Sequence, residues 1–255
     1  MGWYWAIPLG LLIGAALGAI GGGGAILTVP ALIYLFGQDA GAATTGALII
    51  VGLTSLVGLF PHQRRGNVRW REGITFAVLG IAGAALGSLA SLRVPDDVLT
   101  FAFSLLVLVV AVVMLRKLRS GRRGDGGSER RPWAVVAAAA TAVGLITGFF
   151  GVGGGFAIVP ALVLVLGFQM SAAVGTSLLV IALNAVTSLT TRAAVGLGDL
   201  DWPLLLGFSV FAAAGSLLGA QLNKKLDPKV LQIAFVALLV SVGLFMAATS
   251  LPNLI

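Results

Sequence analysis

Two glycine-rich stretches are the parts of this chain whose residue types and spacing could bind a ligand. "GAIGGGGAILTVPAL" covers residues 18 to 32, and "GFFGVGGGFAIVPAL" covers residues 148 to 162. We expect a helix break in each stretch, with free backbone N–H groups near Ala25 and Gly155 where the next helix begins. Helix N-termini bind anions, and glycine lets a ligand approach the backbone closely. The clusters therefore predict an anion site formed by Gly21, Gly23, Gly24, Gly151, Gly153, Gly154 and Gly155.

Close helix packing is the alternative role for glycines in an apolar chain. Small residues four positions apart let two membrane helices approach closely. We assign to packing the glycines with this spacing, namely Gly10, Gly14, Gly18, Gly83, Gly87, Gly215 and Gly219. The two clusters differ because their glycines are consecutive or nearly so, each precedes a proline, and the pattern occurs twice. For the clusters we therefore favour ligand binding over packing.

Few polar side chains interrupt the apolar segments. Thr45 lies early in one segment, and Thr176 and Ser177 lie early in a second one. A buried hydroxyl often bonds a backbone carbonyl one turn back, so ligand contact and this local role are both open for these three. Asn184 lies in mid-segment, where an amide usually needs a partner or a substrate. All four are candidate substrate-binding residues.

His62 and Arg192 each lie at the end of an apolar segment. Either could anchor its segment at the membrane surface, or serve as a gate or a cation for the ligand. His62 is the only histidine and could also relay protons, since its reference pKa lies near neutrality. The segments hold no paired carboxylates and no cysteine, so we expect no catalytic residue, no metal site and no cofactor.

The composition predicts a membrane protein. Of 255 residues 58% are apolar and 10% are charged, whereas a soluble domain has about 25% charged residues. No charge occurs from residue 1 to 38 or from 132 to 191, and a spanning helix needs about 20 apolar residues. We expect an all-α polytopic protein in the lipid bilayer. The net charge of +7 lies mostly between the segments, which indicates membrane topology rather than a nucleic acid partner.

The chain contains an internal duplication. Shifted by 130 positions, Gly18 and Pro30 fall on Gly148 and Pro160; after a two-residue insertion, Trp70 falls on Trp202. A Gly-, Ser- and charge-rich stretch at 116 to 131 separates the halves and is typical of a solvated linker. We therefore divide the chain into a first membrane repeat (1–115), a cytoplasmic linker (116–131) and a second membrane repeat (132–255).

Each half has four long apolar segments, and the first is too long for one crossing. Residues 3 to 36 would form a helix of about 51 Å, against about 30 Å of hydrocarbon. The same holds for residues 133 to 166. The glycine cluster must therefore break the first helix of each half. The two pieces could both span the membrane, or they could form a re-entrant hairpin.

The loop charges predict that the halves have opposite orientations. Residues 62 to 71 hold four arginines and no acid, whereas the corresponding residues 192 to 201 hold one arginine and two aspartates. Basic loops face the cytoplasm, so the first loop should lie inside and the second outside. An inverted repeat of this kind is frequent among secondary transporters.

These motifs resemble those of the TauE/SafE sulfite exporter family, also called the TSUP family of anion transporters. The resemblance covers nearly the whole chain. It rests on the glycine-broken segment with "VPAL", on "AVGTSLLVIALNAVTSL" at 173 to 189, and on "RGNVRW" at 65 to 70. It implies a multi-pass carrier in the cytoplasmic (inner) membrane. Its substrate would be sulfite, sulfoacetate or another organosulfonate, exported with an ion gradient; an anion channel is the alternative. A homodimer is compatible with it.

The resemblance supports the glycine clusters, Thr176, Ser177, Asn184 and the pair of His62 and Arg192 as site residues. The first half departs from the pattern, since it has "TTGAL" at 44 to 48 where the second half has "GTSLL". Thr45 therefore has less support from the family motif than Thr176.

Overall fold

The computed structural model describes residues 3–91, 96–119, 132–150, 155–195 and 200–250, which form α-helices and one π-helical turn, without a strand. The first half comprises α1 (Trp3–Ile20), α2 (Gly23–Pro30), the π-helical turn (Ala31–Leu35), α3 (Ala40–Arg64), α4 (Trp70–Ser91) and α5 (Asp96–Arg119). The second half comprises α6 (Trp133–Phe150), α7 (Gly155–Leu164), α8 (Met170–Val195), α9 (Trp202–Lys225) and α10 (Pro228–Ser250).

The first helix of the first half is broken, as its glycine cluster predicts; the corresponding residues 151–154 of the second half lie outside the described residues. α1 ends before Gly21, which adopts a φ of 76°, a left-handed conformation that favours glycine. In the second half α6 ends at Phe150 and the described part of α7 begins at Gly155. In the first half, α2 has 8 residues and the π-helical turn has 5, which together give about 20 Å of helix and are too short to cross about 30 Å of hydrocarbon. This length favours the re-entrant alternative for the piece that follows the break.

Close pairs of parallel helices join the two halves. α1 packs along α9, with Gly14 against the Ala212 carbonyl and Gly219 against the Ala15 carbonyl. α4 packs along α6 in the same way, with Gly83 against the carbonyl oxygen of Thr141. A Cβ at any of these glycines would overlap the facing backbone. The prediction that the regularly spaced glycines serve close packing is therefore confirmed for these pairs.

The corresponding helices α3 and α8 are neighbours and run antiparallel. Gly52 faces Ala185, Gly58 contacts Leu178, and His62 lies beside Gly175, so the residue number rises on one helix as it falls on the other. α5 and α10 are also antiparallel, since Gln232 at the start of α10 donates to the Met114 carbonyl near the end of α5 (3.2 Å). Antiparallel corresponding helices are what an inverted repeat requires. The side of the membrane that each loop faces stays a prediction.

The outer surface of the bundle is apolar. Five described helices are long and apolar enough to cross a membrane by length and composition. Large apolar side chains point outward from several of them, for example Phe60, Val210 and Phe245, each more than half exposed. Such a surface suits lipid rather than water. The prediction of an all-α polytopic membrane protein is confirmed.

Candidate functional site

The start of α2 lies against the described start of α7. Gly22, the N-cap of α2, lies so close to Gly155 that a Cβ at Gly22 would overlap the Gly155 carbonyl group. Gly155 is the first described residue of α7 and is buried. The start of α2 in one half therefore lies against the described start of the corresponding helix in the other half. We call the contact of Gly22 with Gly155 the glycine junction.

The glycine junction has an electrostatic consequence. The first four N–H groups of a helix have no partner within the helix, and together they act as roughly half a positive charge. No side chain caps the N-terminus of α2. Because Gly22 at the start of α2 lies against Gly155, the first described residue of α7, we expect the positive ends of the two helices to lie close together in an apolar interior. An anion beside them would accept hydrogen bonds from the free N–H groups.

Site residues predicted in the second half lie beside the first break. A Cβ at Gly21 would be 2.5 Å from Ser177 Oγ and 2.9 Å from Val159 Cγ2. Ser177 is fully buried, and its hydroxyl donates to the Val174 carbonyl (2.8 Å), the local bond that the sequence left open. The neighbouring Thr176 Oγ1 accepts from the backbone N–H of Arg69 (3.1 Å). The structure therefore brings Gly21, Gly155, Thr176 and Ser177 into one region.

The remaining cluster glycines divide into two groups. Gly24 belongs to the α1–α2 contact, because a Cβ there would lie 2.7 Å from the Ile13 carbonyl oxygen and 2.8 Å from Leu17 Cβ. Its geometry favours the packing role rather than ligand contact. Gly23 is the first residue of α2 and directly follows the junction residue Gly22. Gly151, Gly153 and Gly154 lie outside the described residues.

His62 holds the end of α1. Because the helix is broken, the last carbonyl groups of α1 have no N–H partner in a following helical turn. Two of these carbonyls accept hydrogen bonds from side chains of α3 and α9. His62 Nε2 is 3.0 Å from the Gly18 carbonyl oxygen, and Asn223 Nδ2 donates to the Ala19 carbonyl oxygen (2.7 Å). Both side chains are buried, at 0% and 4% exposure. His62 and Asn223 therefore cap α1 beside the junction.

Asn223 is a residue that the sequence reasoning missed. It stands in "QLNKK", where the following lysines suggest a solvated helix end. The available signal was an amide directly before the last two charged residues of α9. An amide at this position predicts a cap on α1 only once α9 is known to run parallel to α1, because the C-terminal ends of the two helices then lie side by side.

Arg192 contacts Thr45 at the other end of the α3–α8 pair. Arg192 Nη1 donates to Thr45 Oγ1 (2.9 Å), and the Thr45 hydroxyl itself donates to the Gly41 carbonyl (2.9 Å). Along α3, Thr45 and His62 are about 25 Å apart. The alignment of His62 with Arg192 in sequence is therefore not proximity in space, because α3 and α8 are antiparallel.

Asn184 lies between these two ends, half-buried in the middle of α8. Its Oδ1 atom is buried and has no hydrogen-bond partner within the described part of the chain. An acceptor left unpaired in an apolar interior costs free energy, so Asn184 stays a candidate for a polar contact that this conformation does not supply. No group of three or more metal-ligating side chains occurs within the ranges that the structure describes.

Comparison with known proteins identifies relatives over the whole length. The family model for "Sulfite exporter TauE/SafE" matches residues 6–246. A "Probable membrane transporter protein" of Xylella fastidiosa (strain Temecula1) is 31% identical over 98% of this chain and 96% of its own. Proteins with that designation from Methanocaldococcus jannaschii and Bacillus subtilis are each 25% identical, over 94% and 93% of this chain and 95% and 94% of theirs. No solved structure matches the chain significantly.

Proposed function

The chain belongs to the sulfite exporter TauE/SafE family, and we propose that it is a secondary transporter for a small sulfur-containing anion. The family and the names of the relatives indicate a multi-pass membrane transporter rather than an enzyme. Beyond this, we propose that it exports sulfite, sulfoacetate or another organosulfonate across the cytoplasmic (inner) membrane. The transport would be coupled to an ion gradient.

The glycine junction is the observation that carries the choice of an anion. The N-termini of α2 and α7 converge on Gly22 and Gly155. A sulfonate or sulfite group offers several oxygen acceptors on one small centre, which suits N–H groups arriving from two directions. Ser177 is buried beside the junction, and its hydroxyl would be a further donor if it released the Val174 carbonyl.

The contact between the breaks also favours a carrier over a channel. Gly22 and Gly155 lie backbone against backbone, so the junction must open before an anion can reach the N–H groups from either side. A carrier opens such a contact once in each cycle. A channel would need a path that stays continuous while ions pass. We therefore propose a carrier, and the transport experiment distinguishes it from a channel.

The test is transport by purified protein in proteoliposomes. Vesicles are loaded with an unlabelled anion, and entry of the same labelled anion is followed, with sulfite, sulfate, thiosulfate and sulfoacetate as candidates and protein-free vesicles as control. We expect saturable exchange with at least one sulfur-containing anion. Linear, unsaturable flux without counterflow would identify a channel. Absence of flux for all four anions would contradict the choice of substrate class.

A further inference from the structure

Unpaired polar atoms are concentrated on two neighbouring helices. Within the described residues, six buried side-chain atoms have no hydrogen-bond partner, and five of them belong to α3 and α9. They are the hydroxyl oxygens of Thr54, Ser55, Ser209 and Ser216 and the Nδ1 atom of His62. A buried polar group without a partner costs free energy, so five on one pair of helices need an explanation.

Three of these hydroxyls lie along the line of contact between α3 and α9. The two helices run parallel, because a Cβ at Gly46 would press on Leu205 and one at Gly58 would overlap Ser216 Oγ. Ser55 is three residues before Gly58 on α3, and Ser209 is seven residues before Ser216 on α9, so each falls on the facing side of its helix. We call Ser55, Ser209 and Ser216 the hydroxyl seam.

His62 continues this line on α3. It follows Ser55 by seven residues and Gly58 by four, so the three share one face of the helix. Its Nε2 atom faces the Gly18 carbonyl, an oxygen that can only accept, and therefore Nε2 carries the hydrogen. In the neutral ring Nδ1 then has a free lone pair. That atom is buried and lacks a protein partner among the described residues.

From this geometry we propose that His62 is a proton-binding site reached along the hydroxyl seam. The inference rests on the proposed function, since it names the proton as the coupling ion of the same transporter. Water held by the seam hydroxyls carries the proton, and a hydronium ion gives it to the Nδ1 lone pair. This step forms the second N–H bond and leaves a water molecule; the reverse step returns the proton.

The proton bound to His62 would act on the glycine junction through α1. A protonated ring donates a charge-assisted bond to the Gly18 carbonyl, which is roughly twice as strong as a neutral one. Gly18 lies three residues before Gly21, so the proton tightens the hold on the end of α1 beside the break. The C-terminal end of a helix also favours a positive charge.

The charges around His62 set the conditions for this step. Arg65, one turn further along, donates to the Ala220 carbonyl of α9 (2.5 Å) and opposes a second positive charge. Charged side chains on the elements near this end are Arg64 on α3, Arg69, Arg71 and Glu72 around the start of α4, and Lys224 and Lys225 at the end of α9. Asp227 and Lys229 flank the start of α10, and Arg116, Lys117 and Arg119 lie at the end of α5. α1 and α8, which also contact His62, carry no ionisable residue at this end.

The first test uses the single histidine of the chain. Protein with a histidine-free affinity tag and 15N-labelled histidine gives one imidazole to follow by NMR without any transport substrate. We expect Nδ1 to bind a proton as the pH is lowered while the protein stays folded, and Ser216→Ala to slow the exchange. Ser241→Ala is the control, since Ser241 is exposed on α10 and bonded within its own helix. An imidazole that stays neutral down to the pH at which the protein unfolds would overturn the proposal.

The second test separates proton coupling from anion transport. Gln at position 62 can still donate an N–H to the Gly18 carbonyl but cannot bind a proton. For His62→Gln we expect the ratio of pH-gradient-driven sulfoacetate accumulation to gradient-free sulfoacetate exchange to fall roughly tenfold relative to the unmodified protein. An undiminished ratio in this variant would overturn the proton site and leave the anion transporter intact. If the unmodified protein exchanges no anion, the proposed function fails, and the NMR titration alone decides the proton site.

Discussion

Gly22 and Gly155 lie backbone against backbone, although they come from opposite halves of a duplicated chain. Neither glycine cluster therefore forms the candidate site alone. Each half supplies one glycine to the junction, and we predict that the anion binds where the two halves meet.

An added methyl group at the junction should stop transport. Gly22 has a φ of −52°, which alanine adopts readily, so Gly22→Ala introduces only the overlap with the Gly155 carbonyl. Overpacking of this kind costs about 1–3 kcal/mol, and we expect anion exchange to fall by at least about tenfold. Gly80→Ala is the matched control, because a Cβ there would lie 3.9 Å from its nearest neighbour. Equal exchange by the two variants, per folded protein, would contradict the junction.

Arg192 and Thr45 should act as a pair. Their hydrogen bond joins the end of α8 to the start of α3, and bonds to charged groups contribute about 1.5–3 kcal/mol. We expect Arg192→Gln and Thr45→Val each to lower thermal stability in detergent, with the double variant hardly worse than either. Arg71→Gln, on an exposed side chain, is the control. A KM rise confined to Arg192→Gln would instead assign the guanidinium to the anion.

Removal of the Asn223 amide should loosen the end of α1. Asn223→Ala leaves the Ala19 carbonyl without its side-chain donor, which costs about 1–3 kcal/mol for a buried group. We expect a lower unfolding temperature, and slower anion exchange at temperatures where the protein stays folded. Gln221→Ala, two positions away on an exposed part of α9, should leave both quantities unchanged. If the two variants unfold at the same temperature, this capping bond adds nothing measurable.

The antiparallel register of α3 and α8 can be tested by cross-linking. A Cβ at Gly52 would lie 3.0 Å from Ala185 Cβ, and a disulfide needs about 3.5–4.5 Å, which a small shift provides. In this cysteine-free chain, Gly52→Cys with Ala185→Cys should oxidise to one internal bridge. Gly58→Cys with Ala185→Cys should not, because α3 places these residues about 9 Å further apart. A bridge in the second pair only would require another register.

The inverted orientation calls for a test in cells. The charge pattern places residues 62 to 71 and 116 to 131 in the cytoplasm and residues 192 to 201 outside. Gln63→Cys and Gly198→Cys should therefore react with an impermeant maleimide from opposite sides, the second alone in intact cells. Labelling of both from one side would refute the inverted repeat even though α3 and α8 are antiparallel.

The sequence predicted the helices well because membrane-spanning segments are long apolar runs that are easy to recognise. Charges fall between apolar runs, and the long first segment of each half required a break, so α1 and α2 were expected as separate helices. The regular glycines were correctly assigned to packing, for example Gly14 and Gly219. Their partners could not be named, because four helices carry similar small-residue faces and only the three-dimensional arrangement pairs α1 with α9.

The site was predictable in part. The types and positions of Gly21, Gly155 and Ser177 predict a shared site, and the structure places Gly21 against Ser177 and the adjacent Gly22 against Gly155. The role of His62 as a cap on α1 was not predictable, since it depends on a carbonyl 44 positions away in sequence. Gly151, Gly153 and Gly154 lie outside the described residues, so their assignment to the site stays a prediction.

The pairing of α1 with α9 also constrains how the protein is made. α1 ends at Ile20, but the helix that covers its glycine face begins only at Trp202. At about 5–20 residues per second the ribosome needs roughly 10–40 s to synthesise that interval. Throughout this time α1 must stay in the lipid with its final partner missing. Release of the first half from the insertion machinery therefore cannot complete its folding, and a chain truncated before α9 should be a substrate for membrane proteases.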